Sequence, residues 1–128
     1  MVSPILELKN INKSFGHVQA NKNINLIINQ GTIHGIIGEN GAGKSTLMSI
    51  VYGLYQADSG SIRVSGKEIK LKSPRDSIES GIGMVHQHFS LVDALTVWEN
   101  VALGDAGRLD PVGEKPADIR VSLVEALR

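Results

Sequence analysis

Apolar and polar residues change period several times along this chain, and each change marks an element. Ile5, Leu6, Leu8 and Ile11 open a β-like segment, Phe15-Gly16-His17 is turn-prone, and Ile24, Leu26 and Ile28 then share one face. These two stretches predict an antiparallel pair. Asn29-Gln30-Gly31 turns the chain into Thr32-Ile33-His34-Gly35-Ile36-Ile37, a β-branched run that reads as a buried central strand ending in the loop from Gly38 to Gly43. From Lys44 the period becomes helical, with Leu47, Ile50, Val51 and Leu54 at i, i+3, i+4 and i+7 and Gly53 weakening the helix near its end. A strand, a glycine loop and a helix are therefore expected in that order.

Beyond Asp58-Ser59-Gly60, Ile62 and Val64 alternate with polar residues, Ser65-Gly66-Lys67 turns, and Ile69 and Leu71 alternate again, predicting a second hairpin. Ser73-Pro74-Arg75-Asp76 places a capping serine, a proline at the first helical position and a carboxylate at the third, and Gly81 closes the short helix. A strand from Ile82 to Val85 runs into His86-Gln87-His88-Phe89. Thr96-Val97-Trp98-Glu99 is another capping box, opening a helix toward Leu103, and Gly104 to Pro116 reads as a polar loop. Ile119, Leu123 and Leu127 fall along one helical side and predict a last helix, which reaches Arg128 without Gly, Asn or Pro to stop it.

Composition narrows the class without naming a function. With 128 residues the chain fits one modest domain, and its 14 glycines fall singly between apolar runs, which excludes collagen and low complexity. No window approaches the roughly 18 uninterrupted apolar residues of a membrane span, and Glu7 interrupts the start where a signal peptide needs an apolar stretch. The absence of cysteine rules out disulfides and thiolate zinc sites. A formal net charge of +0 offers no basic field for nucleic acid. The fold class that remains is an aqueous α/β domain.

Gly38-Glu39-Asn40-Gly41-Ala42-Gly43-Lys44-Ser45 satisfies G-x-x-x-x-G-K-S/T between a predicted strand and a predicted helix, the context this phosphate loop requires. Glycines let main-chain amides converge on phosphate oxygens without intervening side chains, and the helix N-terminus adds about half a positive charge. Lys44 can reach the outer phosphates as a point charge, and the Ser45 hydroxyl can ligate a Mg²⁺ that bridges them. The loop alone leaves ATPase, GTPase and small-molecule kinase open. A kinase normally adds a basic lid, and no arginine-rich lid lies between Asp105 and Arg128.

Lys13-Ser14-Phe15-Gly16, the loop extended to Thr46, and Gly83-Met84-Val85-His86-Gln87 together resemble, in order, the ATP-binding subunits of ABC transporters. The resemblance implies a P-loop NTPase core with an antiparallel β subdomain. It implies that MgATP is held by Phe15, Gly38, Asn40, Gly41, Ala42, Gly43, Lys44, Ser45 and Thr46, with Phe15 stacking on adenine. Gln87 matches the Q-loop glutamine, which touches Mg²⁺ or the attacking water, so Ser45 and Gln87 are the metal candidates and Lys44 and Gln87 the catalytic ones. A neutral amide suits that work because it both donates and accepts. Phe15 also reads as an ordinary core aromatic, and Gln87 as a polar residue at a strand exit. His86 and His88 share a face of an extended segment, but no third ligand accompanies them.

The run from Gly81 to Val92, then Leu95 to Val101, with Ser73-Pro74-Arg75-Asp76 before it, is similar to the subgroup serving simple-sugar and nucleoside importers. Trp98 departs from that pattern and is expected either to contact a permease or to pack under its own helix. Implied partners are transmembrane permease subunits, a second nucleotide-binding domain and, indirectly, a solute-binding protein, at the cytoplasmic face of the membrane. The 128 residues contain no Leu-Ser-Gly-Gly-Gln signature and no apolar strand ending in Asp-Glu; Leu91-Val92-Asp93 is followed by Ala94, and Asp93 reads as a loop carboxylate. Residues 1–128 therefore read as the amino-terminal part of such a domain: the β subdomain, the core through the Q-loop and the start of the helical subdomain. Nucleotide binding is expected, while ATP hydrolysis is expected of the longer family protein, whose other parts position the attack.

Overall fold

A computed structural model describes residues 3–85, 92–103 and 121–124 of the chain. Strands β1 (Pro4–Phe15) and β2 (Val18–Asn29) form a long antiparallel hairpin, and β3 (Ser59–Val64) and β4 (Lys67–Ile69) form a shorter one. The two hairpins make one sheet in the order β2-β1-β3-β4. In its centre Leu6 faces Ile28 and Val64, and Leu8 faces Leu26 and Ile62, so the alternating apolar residues of three strands share one face.

Leu6, Leu8 and Ile11 break strict alternation, and a bulge restores it. Leu8 pairs with Leu26 and Ile11 with Ile24, so β1 spends one residue more than β2 over that interval. Asn10 absorbs the extra residue at φ 52, in the left-handed region that asparagine tolerates better than most residues. Its N–H donates to Asn25 Oδ1 at 3.0 Å. Gly60 of β3 lies against the bulge at φ 105, where a Cβ would stand 2.7 Å from Lys9 O. Ile11 thereby returns to the core and is fully buried.

Helix α1 (Lys44–Tyr52) packs Leu47, Ile50 and Val51 into the core with Leu6, Leu8, Ile11, Ile62 and Val64. Each fully buried aliphatic side chain contributes about 1.5–3 kcal/mol relative to exposure. Gly53 does more than weaken this helix: it ends it at φ 85, and a Cβ there would lie 2.6 Å from Ser73 C. Leu54 consequently leaves the helical stripe and is exposed. Helix α2 (Pro74–Glu79) has the expected capping box between Ser73 and Asp76, and its buried Ser77 hydroxyl donates to Val51 O at 3.0 Å, tying α2 to α1. Strand β5 (Ile82–Val85) follows. Helix α3 (Val97–Leu103) is capped by Thr96 and Glu99, whose carboxylate accepts from Thr96 N and Oγ1, both at 2.8 Å. No helix among the described residues is long and apolar enough to cross a membrane.

Two expectations fail. Thr32–Ile37 forms no strand; among the described residues no strand pairs with it, and Ile33 and Ile37 are exposed. A β-branched run expresses strand preference through packing on a pleated, half-buried surface, and among the described residues this one meets no such surface. The expected final helix is also absent over Val121–Val124, which is instead strand β6, parallel to β5 with Ile82 opposite Val121 and Val85 opposite Val124. A short apolar run fits either period, and pairing along the whole of β5 decides for the strand. Ile119 and Leu127, and the loop expected from Gly104 to Pro116, lie outside the described residues.

The caps carry a pH dependence. Lys72 N, donating to Asp76 at 2.9 Å, leads the interactions that hold its carboxyl below the ordinary 3.8, and Thr96 N does the same for Glu99 against 4.5. Carboxyls depressed in the fold contribute stability that is present above the unfolded value and lost as pH falls through the folded one. Thermal melts of the chain should show Tm falling as pH drops from above 4.5 to below 3.8, with a smaller drop in Asp76→Asn; equal drops would contradict the role of Asp76.

Candidate phosphate-loop site

The β1–β2 hairpin and the start of α1 meet at a contact that admits no side chain. Gly43, the residue before α1, adopts φ 91, and a Cβ on it would overlap the Ala20 carbonyl oxygen and stand 2.8 Å from Asn21 Nδ2. Asn21 is buried, and its Nδ2 donates to Gly43 O at 3.0 Å, the same oxygen that accepts Leu47 N at 3.0 Å within the helix. The acceptor dictates which way the amide is turned. Asn21 Oδ1 is left buried and without a hydrogen-bond partner among the described residues. Such an orphan costs about 1–3 kcal/mol, so the Gly43 contact is held at some expense to the fold.

From that anchor the loop curls back over Lys44. Gly41 adopts φ 82, and Ala42 N donates to Glu39 O at 3.1 Å. The Lys44 ammonium donates to the Gly38 carbonyl and to Glu39 O, the latter at 2.8 Å. A Cβ on Gly38 would lie 3.2 Å from Ala42 Cβ and 3.6 Å from Lys44 Nζ, so the loop closes round the ammonium. An ammonium has three donors, and these carbonyls use two. No side chain caps the start of α1 and its first turn contains no acid. First-turn amides and the helix dipole therefore add positive potential beside the lysine. Ser45 is exposed and Thr46 half-buried on that turn, while Gly38 to Ala42 are exposed. This arrangement can hold an anion with several oxygens.

Phe15 ends β1 and is 44% exposed, so it is no buried core aromatic. It pairs with Val18, two residues before Ala20, so the hairpin tip carrying Phe15 adjoins the strand segment that touches Gly43. The structure thus brings the Phe15 end of the hairpin and the loop to one side of the fold. Gln87, His86 and His88 lie outside the described residues. Asp93 sits exposed in a turn, and Trp98 is exposed on α3 and does not pack under it. No group of three or more His, Cys, Asp or Glu residues among those described is placed to hold a metal.

Sequence reasoning missed Asn21, Tyr55 and Asp58. Tyr55 meets Phe15 edge to face, with centroids 5.2 Å apart and planes at 72°. Asp58 accepts Ser14 N at 2.7 Å and pairs with Lys13 at 3.2 Å, and these bonds, the first above all, hold its carboxyl below the usual range. Their contacts span 22 residues or more and leave no local pattern; the scarcity of aromatics is the one hint at Tyr55.

The sequence profile described as ABC transporter matches residues 21–127. The chain therefore belongs to the ABC transporter family, and its fold is that of the family's ATPase. It is 58% identical over 102 residues to the glucose import ATP-binding protein TsgD13 of Haloferax volcanii, an alignment covering 80% of this chain and 18% of that protein. To the guanosine import ATP-binding protein NupO of Bacillus subtilis it is 50% identical over 121 residues, 90% of this chain and 24% of that one. The chain thus spans about a fifth of these relatives. A solved nucleotide-free ATP-binding cassette from an ABC transporter superposes with TM-score 0.73 at 35% identity, covering 88% of this chain and 43% of that one.

Gly43→Ala should push the start of α1 away from Ala20 and lower stability by about 1–3 kcal/mol or more. Denaturant melts with amide chemical shifts check this; a variant as stable as the parent with unshifted Ala20 and Asn21 resonances would contradict the contact.

Proposed function

We propose that the chain binds MgATP through the Gly38–Ser45 loop, as the amino-terminal part of an ATP-binding subunit that powers import of simple sugars or nucleosides. The observation that carries this reading is the Lys44 ammonium enclosed by a glycine loop at an uncapped helix start. The names of the glucose and guanosine import relatives support the importer class. In this reading amides of Gly38, Asn40, Gly41, Ala42 and Gly43 surround the β- and γ-phosphates, joined by those of Ser45 and Thr46. Lys44 shifts from loop carbonyls to phosphate oxygens. Such an exchange keeps the ammonium solvated by oxygens throughout and fixes the phosphates against a rigid helix. Phe15 receives the base, whose stacking orients the nucleotide but is too weak to hold it alone.

The Ser45 hydroxyl, with Gln87, is the proposed holder of Mg²⁺, which when bound neutralises phosphate charge. Hydrolysis, the permease, the second nucleotide-binding domain, the solute-binding protein and the cytoplasmic face of the membrane belong to the longer protein in this proposal. Exposed Trp98 on α3 is a candidate permease contact. A second reading, binding without turnover by this polypeptide alone, is favoured by the absence from its 128 residues of the signature run and the paired acids.

Lys44→Ala should weaken MgATP binding about 10- to 100-fold by calorimetry, the loss expected for a charge-assisted contact. Parent-like affinity in that variant would overturn the assignment. Phosphate release by the 128-residue chain should stay at background, and turnover by the purified chain would defeat the second reading.

A further inference from the structure

We propose that Tyr55 and Asp58 are positioning residues that hold Phe15 in place as the seat of the nucleobase, with Lys13 backing its ring. The inference rests on the nucleotide-site reading above and adds three residues to it. Phe15 lies at the end of a strand beside the Gly16 turn, 44% exposed, where an aromatic side chain would otherwise be free to swing. Two groups flank it. Tyr55 approaches edge to face at 5.2 Å and 72°, and the Lys13 ammonium lies over the ring, also 5.2 Å from its centroid. The cation takes one face and Tyr55 meets the ring at a steep angle, so a flat ligand is directed to the part of the ring that these two neighbours leave exposed.

The segment carrying Tyr55 is itself fastened to β1. Asp58 N donates to Asn12 O at 2.8 Å, while the Asp58 carboxylate accepts Ser14 N at 2.7 Å and Lys13 Nζ at 3.2 Å. Asp58 thus ties both the main chain before Phe15 and the cation behind it. The Lys13 side chain is only 16% exposed, which keeps its ammonium beside the ring and out of bulk water. A cation behind an aromatic ring draws its electrons back and favours an electron-rich heteroaromatic on its exposed surface. Because the Phe15 hairpin abuts Gly43 through Ala20 and Asn21, a base stacked on Phe15 lies on the side of the fold that carries the phosphate loop. The four residues pre-organise the base end of the site as the glycine loop does the phosphate end.

Calorimetry on the whole chain with MgATP and with magnesium tripolyphosphate, which has no base, separates the possibilities. Tyr55→Ala should weaken MgATP about threefold to tenfold and tripolyphosphate less than about twofold, and Tyr55→Phe should restore parent affinity. Asp58→Asn should show the same selective loss. If Phe15→Ala weakens MgATP selectively but Tyr55→Ala and Asp58→Asn do not, the positioning roles are overturned while the nucleotide site stands. Losses shared equally by both ligands in Tyr55→Ala also overturn them, as a merely structural defect. Should the parent bind neither ligand, the nucleotide reading falls and this inference with it.

Discussion

The close approach of Gly43 to Ala20 and Asn21 is the constraint on which the site depends. It is where the β1–β2 hairpin meets the start of α1, and it leaves no room for a Cβ. The apolar seam of Leu47, Ile50 and Val51 holds the helix on the sheet, but that attraction has no direction and tolerates small slides. The Asn21 amide, donating to a carbonyl of the loop itself, supplies the missing direction. The Asn21 Oδ1 atom, buried and without a partner among the described residues, accompanies this precision. Lys44 follows as the next residue, so its reach is set by the same anchor.

Charge is arranged in the same economical way. Lys44 rests on two loop carbonyls, which satisfy two of the three donors of its ammonium. Lys13 and Asp58 form an ion pair that by itself would contribute little at a surface. Its worth lies in geometry, because the same carboxylate fixes the main chain leading into Phe15. The carboxylates of Asp76 and Glu99 do comparable work at the starts of α2 and α3, where they satisfy amides that no helical carbonyl can reach.

Both hairpins, α1, the two capping boxes and the phosphate loop were legible, because each rests on interactions among residues close in sequence. Alternation identifies strands, Ser73 and Asp76 identify a helix start, and a glycine-rich run before Lys44-Ser45 identifies the loop. The bulge at Asn10 was not anticipated, although the broken spacing of Leu8 and Ile11 is its local trace. Tyr55, Asp58 and Asn21 were illegible, since their partners stand 22 or more positions away. Thr32–Ile37 misled for the opposite reason: its local preference is strong, but a strand exists only where another backbone accepts and donates along it.

What the sequence determined alone was the inventory: apolar periods, turn residues, caps and a loop whose chemistry suits phosphate. These depend on short-range sterics and hydrogen bonds that neighbouring residues supply for themselves. Only the tertiary structure decided that residues 121–124 join β5 as a strand, that Phe15 is exposed and flanked by Tyr55 and Lys13, and that Asn21 grips Gly43. Each of those outcomes requires two distant segments to meet, and which segments meet is settled by burial of the shared core, not by any residue's own preference.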